Sequence, residues 1–207
     1  MEFDVLVIGG GAAGMSCALV LGSALDKPFA ESKRVGIIMH QKASDLQSAL
    51  FNNALGVPPG TSGQSILKSG LEQIEERYPR VERIGKEKVK EILPLEVGFQ
   101  VISNKNTYVS QKVVVAVGYS NLVKIKGLEK YMIPHKKAKA SKNRIQLINE
   151  DHVVFPGLYV AGTLAGWRSQ YAIACGSGAA VATDILTEWN EGEHIKVHDK
   201  LTREERD

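Results

Sequence analysis

The stretch FDVLVIGGGAAG, Phe3 to Gly14, reads as a buried strand that turns on three consecutive glycines into a helix. Phe3 to Ile8 is an almost unbroken apolar run, the pattern of a central parallel strand covered on both faces. Gly9, Gly11 and Gly14 have the spacing GxGxxG, with Ala12 and Ala13 between the last two. Each glycine then has a physical task. Gly9 permits the tight turn, Gly11 lets a pyrophosphate approach the backbone, and Gly14 allows helix to pack closely on strand. The free amides and the dipole at the helix start favour an anion. In this strand-turn-helix context the motif predicts dinucleotide binding.

Outward from this stretch, a helix is expected over Ala12 to about Leu25 and a second apolar strand over RVGIIM, Arg34 to Met39, completing a βαβ unit. Gln41 to Gly63, which contains NNALGVPPGTSG, reads as a loop, and its length is typical of functional loops. A helix is predicted over 64–77, with Ile66, Leu67, Leu71 and Ile74 on one face. The runs KVKEILPLE, GFQVISN, NTYVSQ and KVVVAVG predict an antiparallel meander returning to a core strand. Tyr119 to Val153 is polar and weakly patterned. A second glycine-rich stretch, VFPGLYVAGTLAG from Val154 to Gly166, supplies another short strand, and Tyr171 to about Trp189 reads as the last helix. The predicted fold class is α/β and Rossmann-like, with a mostly parallel sheet and an antiparallel β-meander. Residues 1–190 form one domain and 191–207 a charged C-terminal tail.

Composition narrows the function classes. A chain of 207 residues, 43% hydrophobic and 24% charged, suits one globular domain with a substantial core. The net charge of +3 is small, and the basic residues alternate with acidic ones, as in KEKVKE at Lys86 to Glu91, so no nucleic-acid stripe is expected. The one basic cluster, HKKAKASKNR from His135 to Arg144, reads as a solvated loop. The start MEFD is acidic rather than a signal sequence, and no apolar run has membrane-spanning length. Cys17 and Cys175 form no CxxC, and the histidines show no metal-ligand spacing. The expectation is a cytoplasmic, reduced protein with no metal, nucleic-acid or membrane partner.

Discrimination among dinucleotides usually rests on an acid about twenty positions past the glycines. Here the second strand ends Met39, His40, Gln41, Lys42, with no acid. The basic pair His40 and Lys42 suits the 2′-phosphate of NADP(H). Equally, Gln41 or backbone with water would bind plain ribose hydroxyls.

The ordered set FDVLVIGGGAAG, NNALGVPPGTSG, KVVVAVGYS with IKGLEKY, then FPGLYVAGTLAG and SQYAIACGSGAAVA resembles the FAD-binding half of thioredoxin-reductase-like flavoproteins, members of the two-dinucleotide-binding superfamily. The resemblance covers most of the chain. It implies an FAD domain without the inserted NADPH domain, since only a short polar stretch separates Tyr131 from the last FAD segment. It places Gly9, Gly11, Ala12, Ala13 and Gly14 at the pyrophosphate, and Met39, His40 and Gln41 by the adenosine ribose. Val89 would meet adenine through its backbone, and Ala116 and Gly118 would pass beneath the cofactor, with Val117 in place of threonine. Asn53 would lie near the flavin, and Gln170, Tyr171 and Ala172 would open the helix facing its pyrimidine edge. A positive helix end there stabilises negative charge on reduced flavin.

Two departures stand out. The family's Gly-Asp pair is Gly162 and Thr163 here, and the redox-active CxxC is absent. Cys17 and Cys175 read as small buried fillers. Trp167 and Tyr171 are candidates for stacking on the flavin or for core packing, and Arg168 for neutralising an anion or for a solvated surface. The expected function is an FAD-dependent oxidoreductase without a dithiol, taking electrons from a partner protein, a small molecule or free NAD(P)H, with a homodimer implied by the family. The alternatives are a non-catalytic dinucleotide-binding sensor or electron-transfer subunit, and an NADP(H)-binding domain.

Overall fold

A computed structural model describes residues 2–41, 44–120 and 124–197. Lys42 and His198 lie outside the described residues. The strand β1 (Glu2–Ile8), the helix α1 (Ala12–Gly22) and the strand β2 (Val35–Met39) form the expected βαβ unit, with the strands parallel from Val5 opposite Val35 to Ile8 opposite Ile38. After α2 (Gly63–Arg77), β5 (Glu82–Gly85) adds in parallel to β2. The meander is β6 (Val89–Pro94), β7 (Phe99–Ser103) and the first part of β8 (Thr107–Val115). The short strands β11 (Val153–Phe155) and β12 (Leu158–Val160) precede α3 (Tyr171–Trp189). The sheet order is β11-β12-β8-β1-β2-β5, and β12, β8, β1, β2 and β5 run parallel.

The strand β8 joins the two halves of this sheet. One edge pairs with β1 along its length, while the other pairs antiparallel with β7 up to Ser110 and parallel with β12 from Val113 onward. The sequence runs NTYVSQ and KVVVAVG are therefore one continuous strand.

Side-chain alternation divides the core between the two faces of the sheet. Val5 and Val7 point to α1, α2 and α3, where Cys17, Leu21, Ile74, Val181 and Ile185 are fully buried. Leu6 and Ile8 point to the other face, packed with Val101, Leu147, Leu158 and Leu164, and Phe3 joins them because the alternation is interrupted at Asp4, where the Asp4 and Val5 amides both donate to the Arg34 carbonyl. Each fully buried aliphatic side chain contributes about 1.5–3 kcal/mol. The segment after α3 joins the first of these cores through Ile195. Among the described residues, no helix is long and apolar enough to cross a membrane.

The meander is pinned by a buried acid. Glu87 is 5% exposed, and its carboxylate accepts hydrogen bonds from Ser103 Oγ (2.5 Å), Asn106 Nδ2 (2.6 Å) and Tyr108 Oη (2.9 Å). Burial pushes its pKa up, but the hydrogen bonds from Ser103, Tyr108 and Asn106 together outweigh that and hold it below the usual carboxylate value.

Several expectations need correction. The segment Gln41 to Gly63 is not a plain loop, because β3 (Leu50–Phe51) pairs with β4 (Thr61–Ser62), and Gly60 N–H closes the hairpin on Phe51 O and Asn52 Oδ1. The polar stretch from Tyr119 to Val153 contains a second hairpin, β9 (Met132–Pro134) with β10 (Ile145–Leu147). Strands of two and three residues are too short to display alternation. The first helix ends at Gly22, before Leu25, and Ala24 and Leu25 continue as buried turns. The basic cluster is not wholly solvated, since His135 is 6% exposed and Arg144 stacks on Tyr119.

Candidate functional site

The route of the chain through the sheet locates the crevice. From β1 it crosses through α1 to β2 on one side, while β8 and β12 lie on the other. The carboxyl ends of β1 and β8 thus flank a topological switch point, where open α/β sheets bind ligands. Gly9, Ala116 and Gly162 all stand at these strand ends.

Close backbone approach brings four segments together. Gly9 has φ +125°, and a side chain there would collide with the Ala116 carbonyl. A side chain on Gly14 would strike the Gly9 carbonyl, and one on Gly178 the Ala13 carbonyl, so α1 packs directly on the glycine turn and α3 on α1. A Cβ on Gly162 would come within 3.0 Å of the Ala13 Cβ. Gly11 differs from all of these. It is the N-cap of α1 in extended conformation, and a Cβ on it would meet only Ser44 Oγ, at 3.7 Å. Among the described residues nothing else approaches the space above Gly11.

Both helix starts are electrostatically open. α1 begins after Gly11 and α3 after Gln170, neither with a side-chain cap and neither with an acid in its first turn. Their first amides have no partner within the helix, and the positive dipole ends are not neutralised. Ala12 and Tyr171, the first residues of the two helices, line one cavity of about 240 Å³ together with Met15, Gly56, Pro58 and Ile66. Phe51 of the β3–β4 hairpin packs on Tyr171 with ring centroids 5.0 Å apart. Burial, with Cys175 one turn further on, pushes the Tyr171 phenol up to about 12, so it remains a protonated donor at neutral pH.

The predicted residues divide into two groups. Gly9, Gly11, Ala12, Ala13, Gly14, Ala116 and Gly162 converge at the strand ends, with Gly118 following at φ +82°. Gln170, Tyr171 and Ala172 open α3 as expected. Met39 is 8% exposed and packs in the α1-side core, with its side chain against Gly10. Gln41 donates from Nε2 to the Gly10 carbonyl at 2.9 Å, so its amide braces the glycine turn. His40 is exposed at the end of β2, and Asn53 is exposed on the hairpin loop. Val89 is buried in the core of the opposite face. Thr163 is half-buried, and its carbonyl faces His135 Nε2 at 3.1 Å. Lys137 N–H donates to His135 Nδ1 at 3.1 Å, so the ring proton is on Nε2 and is donated to Thr163.

Three residues that shape the site are not among the site residues predicted from the sequence. Ser177 is buried on α3 and accepts from Gly162 N–H at 2.7 Å. Ser44 faces Gly11 and caps a short 3-10 turn by accepting from Leu46 N–H. His135 holds the carbonyl of Thr163. A serine between two glycines in GSG was the one available signal. His135 was hidden in a basic run.

The remaining candidates are placed as follows. Cys17 is fully buried and burial pushes its thiol up to about 12, so it carries no thiolate at neutral pH. Cys175 is a free, half-buried thiol. Trp167 packs on His152 and under Lys137. Arg168 is exposed.

Among solved structures, the fold is similar to an oxidoreductase from Agrobacterium tumefaciens, with TM-score 0.71 and 15% identity over 93% of this chain and 100% of that one. A thioredoxin reductase from Gloeobacter violaceus gives TM-score 0.70 and 16% identity over 97% and 99%. A ferredoxin-flavin thioredoxin reductase from Clostridium acetobutylicum gives 0.66 and 17% over 92% and 99%. At these identities the likeness shows the fold. No curated protein matches the sequence. The sequence profile of the pyridine nucleotide-disulphide oxidoreductases matches residues 3–179, and the chain belongs to that family.

Proposed function

We infer that this chain is a flavoprotein oxidoreductase that binds FAD across residues 1–190. The observation that carries this reading is a cavity flanked by the uncapped starts of both α1 and α3, beside a glycine turn whose space at Gly11 is left open among the described residues. Family membership and the thioredoxin reductases among the similar folds support it. FAD, when bound, supplies electron transfer between a donor and an acceptor.

The chain's own residues hold and tune such a group. Gly9 to Gly14 receive the pyrophosphate on the α1 amides, and Ala116 to Gly118 pass beneath. Gly162 and Thr163, fixed by Ser177 and His135, would hold the ribityl segment. At the start of α3 the amides of Tyr171 and Ala172 would face the pyrimidine edge and stabilise negative charge on reduced flavin, while Gln170 N–H donates to the Arg168 carbonyl at 2.9 Å and holds the turn into the helix. His40 is the exposed polar group left at the ribose end. The 207-residue sequence holds no CxxC, and a bound flavin would exchange electrons with free NAD(P)H or an electron-donor protein without a dithiol relay. Two free thiols suit a reducing compartment, the cytoplasm, and we take the assembly to be a homodimer.

The test is direct. Purified protein, before and after incubation with FAD, is examined for a flavin absorption band and for bound flavin by mass spectrometry, then reduced with dithionite and reoxidised with candidate acceptors. Absence of flavin in both preparations overturns the reading. One observation favours a second reading, a non-catalytic dinucleotide-binding module: Met39 fills the core and Gln41 braces Gly10, so neither side chain is available to a ribose at the adenosine end. Bound flavin that turns over with no acceptor supports that alternative, and tighter binding of NADPH than of FAD would instead indicate an NADP(H) domain.

A further inference from the structure

The β9–β10 hairpin and the loop between β12 and α3 enclose a second cavity, of about 200 Å³, that the flavin reading does not use. It is lined by Lys136, Lys137, Gln146, Asp151, His152 and Trp167, among others. Gln146 is 6% exposed, and its orientation is determined: Oε1 accepts the Lys136 N–H at 2.8 Å, so the amide NH2 is the group left over. That NH2 donates to nothing among the described residues and opens on the cavity. An amide NH2 on a cavity wall, with its partner oxygen already held by the backbone, is positioned to donate to a ligand.

The surrounding charges say what kind of ligand. Two lysines face one aspartate across the lining, leaving positive charge in excess. Lys137 Nζ lies 4.5 Å from the centroid of Trp167, which holds the ammonium at the cavity mouth. His152 is 8% exposed and directs Nδ1–H to the Val160 carbonyl at 2.9 Å, so its Nε2 is the free ring nitrogen. The backbone here is unusual. Asp151 and His152 are consecutive non-glycine residues at φ +41° and +73°, strain of the kind that persists at functional sites.

We propose that this cavity binds a small anion, a carboxylate or a phosphate group, through the Gln146 amide and the ammonium groups of Lys136 and Lys137. The geometry of the cavity carries this assignment, which stands or falls apart from the flavin reading.

The protein has two tryptophans, Trp167 and Trp189, so the indole N–H region of a 15N-labelled NMR spectrum holds two side-chain resonances, assigned with Trp189→Phe. Inorganic phosphate and malonate are titrated separately into protein as purified, at constant ionic strength with chloride as balance. The expected result is a saturable shift of the Trp167 indole with at least one anion, weakened tenfold or more in the Lys136→Ala/Lys137→Ala double variant, whose changes lie on exposed side chains. Saturation by phosphate alone, or by malonate alone, identifies the group recognised. Gln146→Glu, which keeps an acceptor for Lys136 N–H but replaces the donor with a like charge, should abolish the shift. No saturable shift with either anion, or one unchanged in the double variant, overturns the proposal.

Discussion

The glycine turn separates two roles that a sequence motif runs together, and substituting Gly11 and Gly14 by alanine pulls them apart. At Gly14 the new methyl would overlap the Gly9 carbonyl, a backbone atom that moves only if α1 lifts from β1. Overpacking of that kind costs about 1–3 kcal/mol or more. At Gly11 the backbone is extended, with φ −90° and ψ −172°, and the nearest atom is Ser44 Oγ at 3.7 Å, ordinary contact. Gly11→Ala should therefore leave stability unchanged or raise it by about 0.4–1 kcal/mol through the unfolded chain. Yet its methyl occupies the approach to the first amides of α1. Loss of two hydrogen bonds to a charged phosphate, each worth about 1.5–3 kcal/mol, corresponds to a hundredfold or greater loss of FAD affinity. Urea unfolding midpoints and flavin bound per chain after gel filtration read the two effects independently. If Gly11→Ala keeps wild-type flavin content, or unfolds at lower urea than Gly14→Ala, the assignment of the open space to a pyrophosphate is wrong.

Glu87→Gln replaces a carboxylate that accepts from Ser103, Tyr108 and Asn106 by a neutral amide with one acceptor oxygen, so its charge-assisted hydrogen bonds are weakened and stability should fall by about 1–3 kcal/mol at neutral pH. Because the folded pKa of Glu87 lies below its unfolded value, its contribution is present above the ordinary carboxylate pKa and lost as pH falls through the folded one. The gap between wild type and variant should narrow on acidification, and a pH-independent gap would contradict the argument. Ser177→Ala orphans the buried Gly162 N–H and should cost about 1–3 kcal/mol in urea unfolding, with a change under about 0.5 kcal/mol counting against it. Native protein treated with a thiol reagent should react at Cys175 alone, with Cys17 reacting only after unfolding, as peptide mass mapping would reveal.

The parallel sheet and its turn were legible because their signals are local and strong. Phe3 to Ile8 had to be a buried strand, and the glycines that follow it fit no other turn as well. The long helices announced themselves by apolar spacing in α2 and by length in α3. What escaped was nonlocal. The three-residue strands β9 and β10 gain their order from pairing Met132 with Leu147 and from burying Leu147, neither of which marks Tyr119 to Val153 as structured. His135 stands among lysines, and only the folded chain shows its ring under the Thr163 carbonyl. At the candidate site, the absence of an acid after β2 was visible in the sequence, but what Met39 and Gln41 do instead required coordinates: one fills the core, and the other ties back the glycine turn.

The contact of Gly178 with Ala13 joins residues near opposite ends of the chain. A ribosome releases α1 long before α3 exists, so the nascent βαβ unit emerges with its helix uncovered on one side, and β8 waits for β12 in the same way. Loop-closure entropy must be met before this contact forms, which makes it a late event in folding. A chain stalled before Gly178 would hold the glycine turn but lack the helix that packs on Ala13, so any ligand needing both helix starts could bind only after α3 has emerged.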